Sequence, residues 1–179
     1  MKKVEHGKTF DRNAANPPAF EIFHNTVTEG YPKHWHTAIE IIMPTRGEYE
    51  VVVGKDSYNL KEGDIIMINS GVVHGMRFVS QGERIVMLVE PGCVENQEEM
   101  ETIFLRLPAI YFKKGDEEDP FYLFLRSQIL ELVREYDNEG AVMTHRICTG
   151  LKELFSEFGR KGFSDANAQN TFCLLYTSD

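Results

Sequence analysis

The chain has 179 residues, 42% hydrophobic and 26% charged, a balance that fits a soluble globular protein with one ordinary domain and a helical appendage. No apolar run is long enough to cross a bilayer, and Met1-Lys2-Lys3 leads into no apolar signal segment, so the expectation is a cytoplasmic protein with no membrane partner. A net charge of −9 repels a phosphate backbone unless a basic patch is set apart; Lys113-Lys114 runs straight into Asp116-Glu117-Glu118-Asp119 and Arg160-Lys161 is too short, so these residues exclude nucleic-acid binding.

Residues 1–19 are polar, with Asn13, Asn16 and the pair Pro17-Pro18, and read as an N-terminal arm. From Phe20 to Val89 short runs rich in Val, Ile and Tyr predict strands at 21–23, 40–43, 48–53, 57–60, 64–68, 76–79 and 84–89. Turns fall at Arg46-Gly47, Gly54-Lys55-Asp56, Lys61-Glu62-Gly63, Ser70-Gly71 and Gln81-Gly82. Many short strands at this spacing make a mainly β sandwich or barrel.

After Pro91-Gly92 the period changes. Residues 95–107 suit a short helix stopped by Pro108. Asp119 is placed as an N-cap for a helix that opens at Pro120 and keeps Phe121, Leu125, Ile129, Leu132, Val133 and Tyr136 on one face. A second helix carries Ile147, Leu151, Leu154, Phe155 and Phe158 and is expected to stop at Gly159. Such a helical hairpin needs an apolar cover, either the barrel of the same chain or a second subunit. The string CLLYTS, Cys173 to Ser178, matches one reading frame of a sequencing-library adapter and is set aside, with the expectation that the natural protein continues past about Thr171. The division is therefore an arm (1–19), a barrel (20–92), a helical linker and dimerisation region (93–162) and an unstructured end (163–179). Cys93, Cys148 and Cys173 show no paired spacing and read as small core residues, with neither a disulfide framework nor a zinc knuckle.

The chemistry gathers in Gly30-Tyr31-Pro32-Lys33-His34-Trp35-His36-Thr37-Ala38-Ile39-Glu40 and, further on, in Gly63, Gly71 and His74. His34, His36 and Glu40 share a parity, but a straight strand rising about 3.3 Å per residue would hold His34 and Glu40 about 20 Å apart. A common site requires the chain to turn at Thr37-Ala38-Ile39, with His74 arriving from a neighbouring strand through the turn Gly71 permits. Three imidazoles and a carboxylate suit one divalent transition metal, Fe, Mn, Ni, Zn or Cu. The same four residues can also form a hydrogen-bonded polar cluster at the mouth of a small-molecule pocket, and the sequence leaves both readings open. Tyr49, Tyr58 and Met76 are candidates to line that pocket or to pack in the core. Trp35 alternates to the other face, away from the pocket.

The spacing His34-x-His36, three residues, Glu40, six residues, Gly47, then Gly63, five residues, Asn69-x-Gly71, two residues, His74 resembles the two motifs of the cupin superfamily. The resemblance implies a jelly-roll barrel with His34, His36, Glu40 and His74 at the family's metal-ligand positions. The family's glycine before the first histidine is displaced, Asn69 replaces a proline and Phe78 an asparagine; these departures alter turns and not ligands. Within the superfamily the text resembles the N-terminal sensing domain of AraC-type transcription regulators, in His34-Trp35-His36, Ile39-Glu40-Ile41-Ile42, Arg46-Gly47 and the run from Tyr58 to Asn69. That likeness implies a barrel for a small effector, a sugar or other metabolite, a homodimer through the C-terminal helices, and DNA contact only through a helix-turn-helix domain missing from this chain. The alternatives are a metal-dependent cupin enzyme, an oxygenase or isomerase, and a stand-alone binding protein. The sensor is preferred because no acid, base or nucleophile stands out beyond the cluster.

Overall fold

The computed structural model describes residues 19–26, 30–94, 108–116, 119–138, 140 and 142–161. Residues 1–18 of the expected arm, the expected short helix over 95–107 and the tail with its adapter-like string lie outside the described residues. The strands are β1 (Phe20–Asn25), β2 (Tyr31–His34), β3 (Ile39–Arg46), β4 (Tyr49–Val53), β5 (Asp56–Leu60), β6 (Ile65–Ile68), β7 (His74–Phe78), β8 (Glu83–Val89) and β9 (Ala109–Phe112), followed by helices α1 (Pro120–Asp137) and α2 (Met143–Lys161). They form two antiparallel sheets, ordered β1-β8-β3-β6-β9 and β2-β7-β4-β5.

The two sheets differ in what covers them, and their sequences show it. β4 alternates, with Tyr49, Val51 and Val53 buried and Glu50 and Val52 half-buried, as expected when one face meets the opposite sheet and the other meets water. β3 has no such rhythm; Ile39 through Pro44 are all buried. Its even positions face the sandwich interior, where Ile42 joins Tyr49, Val51, Val53, Leu60, Ile66, Ile68, Met76 and Ala109. Its odd positions, Ile39, Ile41 and Met43, join Ile85, Met87 and Val89 in a second core completed by Tyr122, Leu125, Ile129, Leu132, Ile147, Leu151, Leu154, Phe155 and Phe158. The barrel of the same chain therefore covers the helical hairpin's apolar stripe. Burial of each such side chain is worth about 1.5–3 kcal/mol, so the helices are part of the fold's stability.

Asp119 caps α1 as expected, its Oδ1 accepting from the Phe121 N–H at 2.8 Å, with Pro120 in the first turn. Three local expectations need correction. α2 runs through Gly159 to Lys161; a single glycine costs a helix only about 1 kcal/mol against alanine, and packing of Phe155 and Phe158 outweighs it. β2 was not among the expected strands because Pro32 and Lys33 suit it poorly. It sits at a sheet edge, where a residue without an N–H is tolerated. β9, four residues long, lies between the two stretches expected to be helical, where no element was expected; it pairs with β6 from Ile65↔Phe112 to Ile68↔Ala109.

Cys93 and Cys148 are half-buried against the helix-side core, Sγ to Sγ 3.8 Å; Cys173 lies outside the described residues. No helix among the described residues is long and apolar enough to cross a membrane.

Candidate functional site

β2 ends at His34 and β3 begins at Ile39, so the chain does bend between His34 and Glu40, but over residues 35–38 and not at Thr37-Ala38-Ile39, since Ile39 already opens β3. Trp35 is left 65% exposed on the outside of this bend. The bend is held from two directions: the His36 Nδ1 lies 2.9 Å from the Ala38 carbonyl, and the Gly71 N–H donates to the His36 carbonyl at 2.8 Å. Gly71 has φ +74°, a left-handed conformation that glycine adopts without steric cost. That turn delivers His74 as the first residue of β7, opposite His34 of β2 and Val53 of β4. Glu40 comes from β3, with Ile68 and Leu88 as its cross-strand neighbours.

These four side chains meet. One ligand atom from each of His34, His36, Glu40 and His74 lies within 4.8 Å of all the others. The ring centroids stand 5.4 Å (His34–His36), 4.4 Å (His34–His74) and 4.8 Å (His36–His74) apart. Each imidazole turns its Nδ1 to a backbone carbonyl: His34 to Pro32 at 2.9 Å, His36 to Ala38 at 2.9 Å, His74 to Val72 at 2.8 Å. A carbonyl accepts only, so Nδ1 carries the proton and Nε2 is the atom aimed at the centre. Carbonyl-anchored imidazoles of this kind are the usual support for metal-ligating histidines.

Glu40 is the hub. Its Oε2 is 2.8 Å from His36 Nε2 and 3.0 Å from His74 Nε2. Burial by itself would push its carboxyl up, but the hydrogen bonds and charge of His36 and His74 outweigh burial and hold it down to about 2. The His34 ring is moved below its ordinary value, chiefly by burial and also by His74 and His36, against the pull of the Pro32 carbonyl and Glu40. With Nδ1 already protonated, each Nε2 that faces the Glu40 carboxylate needs positive charge between them. Protons on the imidazoles or a divalent cation can supply it. Ligand atoms of one such ion lie about 2.0–2.2 Å from it, so a small contraction of the set would close a first shell of three nitrogens and one oxygen, and the donor chemistry fits the transition metals named above.

The other candidates are more scattered. Tyr49 is fully buried, four residues along β4 from the Val53 that pairs with His74. Met76 is buried beside it in the sandwich core, and Tyr58 is half-buried on β5 with its ring 5.6 Å from that of Tyr111. A separate groove of about 380 Å³ is lined by Tyr31, Lys33, Val52, Gly75, Met76 and Arg77. Val52, Gly75 and Arg77 alternate with the inward Val51, Val53 and His74, so that groove lies on the outer face of the sheet.

One interior residue was missed from sequence. Arg84, at the start of β8, is 4% exposed, with its guanidinium carbon 4.9 Å from the centroid of the Tyr49 ring. Burial pushes the guanidinium below its ordinary value, and Tyr49 and Glu40 act against that. The available signal was parity, since Arg84, Val86 and Leu88 alternate with the helix-facing Ile85, Met87 and Val89.

Residues 25–90 match the family Cupin_2, described as Cupin domain. Over those residues the chain is similar to a cupin domain, and two helices follow. No curated protein matches the sequence. Among solved structures the chain is similar to apo ToxT K231A from Vibrio cholerae strain SCE256, at 12% identity and TM-score 0.54, covering 82% of this chain and 58% of that one. It is similar also to ToxT from Vibrio cholerae O395, at 11% identity and TM-score 0.51, covering 82% and 56%. The chain thus spans less than two thirds of the length of either ToxT chain, and at these identities the likeness is one of fold.

Proposed function

We propose that the chain is the effector-binding and dimerisation part of an AraC-type DNA-binding transcription regulator, taking a sugar or other small metabolite inside the cupin barrel. The observation that carries this reading is that barrel and helical hairpin share one core across the five-stranded sheet, and that the likeness to ToxT covers the greater part of both. β3 and β8 present one face to the barrel interior and the other to α1 and α2, so a ligand that shifts the inner face moves the floor on which the helices rest. Tyr122 ties the same layers, its hydroxyl donating to the Gly63 carbonyl at 2.9 Å. Such a domain works by binding effector with different affinity in two arrangements of the helices. Because the apolar stripe is covered within the chain, the homodimer uses the outward side of the helical pair, where Leu123 is 50% exposed. DNA contact belongs to a further domain, and the compartment is the cytoplasm.

His34, His36, Glu40 and His74 would hold one divalent ion at the barrel mouth. Bound there, it would supply a Lewis-acid contact for an oxygen of the ligand. The residues themselves hold the centre's geometry, through the three Nδ1–carbonyl bonds, with or without it.

The test is the coding sequence that follows residue 171 in the source genome, together with a thermal-shift screen of sugars, amino acids and metals on the purified chain. A helix-turn-helix region and a saturable metabolite are expected. A second barrel or a stop codon, with no metabolite bound, would contradict the reading. The convergence of three imidazoles and a carboxylate favours a second reading, a metal-dependent oxygenase or isomerase, which turnover by the metal-loaded chain would establish.

A further inference from the structure

Cys93 and Cys148 show no paired spacing in the sequence, yet the fold makes them a pair. Cys93 lies in the short helical turn Pro91–Val94 that follows β8, and Cys148 lies on α2. Their sulfurs are 3.8 Å apart although 55 residues separate them, which is direct contact, against about 2.05 Å in a disulfide bond. Both residues are half-buried against the helix-side core, so packing holds the sulfurs together while a small reagent can still reach them. The turn is anchored on both sides. The Cys93 N–H donates to the Glu90 carbonyl and the Glu90 N–H to the Ala19 carbonyl, each at 2.9 Å. The Glu90 carboxylate accepts from the hydroxyl of Thr37, in the bend beside His36, at 3.1 Å and 3.2 Å. α2 packs on this turn, so the two thiols mark the place where the helical hairpin meets the end of β8. A structural zinc takes four ligands, and among the described residues the one group of three or more metal-type side chains is the histidine cluster. Burial, and the Cys148 sulfur beside it, push the Cys93 thiol up to about 11, against the pull of Lys152. At neutral pH Cys93 therefore keeps its proton and can donate it in a hydrogen bond to the Cys148 sulfur.

We propose that Cys93 and Cys148 are a redox site, which a hydroperoxide closes to an intrachain disulfide stapling α2 to the end of β8 and which small thiols reopen. The Cys148 thiolate attacks one peroxide oxygen; the S–O bond forms, the O–O bond breaks and hydroxide leaves, giving the sulfenic acid. The Cys93 sulfur then attacks the Cys148 sulfur while its proton passes to the departing hydroxyl, so that S–S forms, S–O breaks and water leaves. Over both steps two thiols lose two electrons and two protons, and hydrogen peroxide takes them up as two molecules of water. In a reducing compartment such a pair rests as thiols, and its disulfide is a transient signal and not a scaffold. In the sensor proposed above, the disulfide would favour the arrangement in which α2 is seated on the barrel. That consequence rests on the effector reading; the disulfide itself does not.

The full chain carrying Cys173→Ser, so that the tail thiol cannot compete, is reduced, stripped of metal with a chelator and exposed to a few equivalents of hydrogen peroxide. Digestion and mass spectrometry are expected to find the Cys93 and Cys148 peptides joined within one chain with loss of two hydrogens, and dithiothreitol to separate them. The melting temperature should rise by about 5 °C or more on oxidation and fall back on reduction, and Cys148→Ser should show neither change. In Cys93→Ser, dimedone should trap the sulfenic acid at Cys148. Separate overoxidation of the two thiols with no joined peptide, or a joined peptide formed only between two chains, would overturn the site. A joined peptide with an unchanged or lowered melting temperature would overturn the staple. Equal dimedone trapping at Cys93 in Cys148→Ser would overturn the choice of Cys148 as the attacking sulfur. Should a serine variant not fold, the joined peptide and its reversal in the chain that keeps both cysteines decide the matter.

Discussion

The His74 Nε2 lies 3.0 Å from the Glu40 Oε2 although 34 residues separate them, and the far side of the same ring is pinned to the Val72 carbonyl. Contact and pin together fix which nitrogen looks into the barrel. His36 repeats the arrangement across a four-residue bend. Both depend on backbone that side chains do not control directly: the bend over residues 35–38 and the left-handed Gly71.

Metal binding should follow from this geometry. The wild-type chain is expected to take up close to one equivalent of Zn, Mn, Fe, Ni or Cu, and the double variant His34→Ala/His74→Ala to lose affinity by about 100-fold or more, since removal of supporting groups alone costs 10–100-fold. Elemental analysis after dialysis against each metal measures it. Unchanged metal content in the variant would remove these residues from a ligand role.

Acid should weaken the chain in two stages when measured with a chelator present. Glu40 has its carboxyl held down to about 2, below its ordinary 4.5, so its contribution is complete above about pH 4.5 and drains away as pH falls toward 2. His34 is moved below its ordinary 6.5; the unfolded chain takes that proton more readily, so its contribution also is present above 6.5 and is eroded as pH falls. Melting temperature against pH should decline on the acid side, and Glu40→Gln should start lower at neutral pH and lack the fall between about 4.5 and 2. A parallel curve for Glu40→Gln would contradict the assignment.

Phe155 is fully buried between the five-stranded sheet and α1, with its ring 6.2 Å from that of Phe158. Phe155→Ala should cost about 3–5 kcal/mol by leaving a cavity in the shared core, read as a lower denaturant midpoint. If the hairpin folded apart from the barrel, only helical signal would be lost; here one cooperative transition should move as a whole.

What the residues disclosed in advance, and what they did not, follows from range. The capping Asp119, the stripe on α1 and the alternation of β4 are local, and each was legible. The metal-type cluster was legible because fixed spacing around Gly47, Gly63 and Gly71 stands in for three-dimensional closure. β9 was hidden because four residues carry too little period to distinguish strand from helix. Arg84 was hidden for another reason: a lone arginine near the start of a strand reads as solvent-facing, and only the sheet on both of its sides shows otherwise. The choice between barrel and second subunit as cover for the helices needed the continuous burial of β3, which a count of apolar residues cannot assign to two faces.

The acidic surface sets the expectation for DNA. In a mobility-shift series across salt, this chain should show no salt-dependent affinity for duplex DNA, because no basic patch is present to release counterions. A steep salt slope would require basic residues gathered in a way the sequence does not show.

Hydrogen exchange with and without a small molecule found in the thermal-shift screen tests most directly the claim that the barrel interior and the helical hairpin act as one unit. Slower exchange is expected at β3 and β8 and also along α1 and α2, in proportion to occupancy, and it should vanish in a variant that no longer binds. Protection confined to the barrel, with α1 and α2 unchanged at saturation, would contradict it.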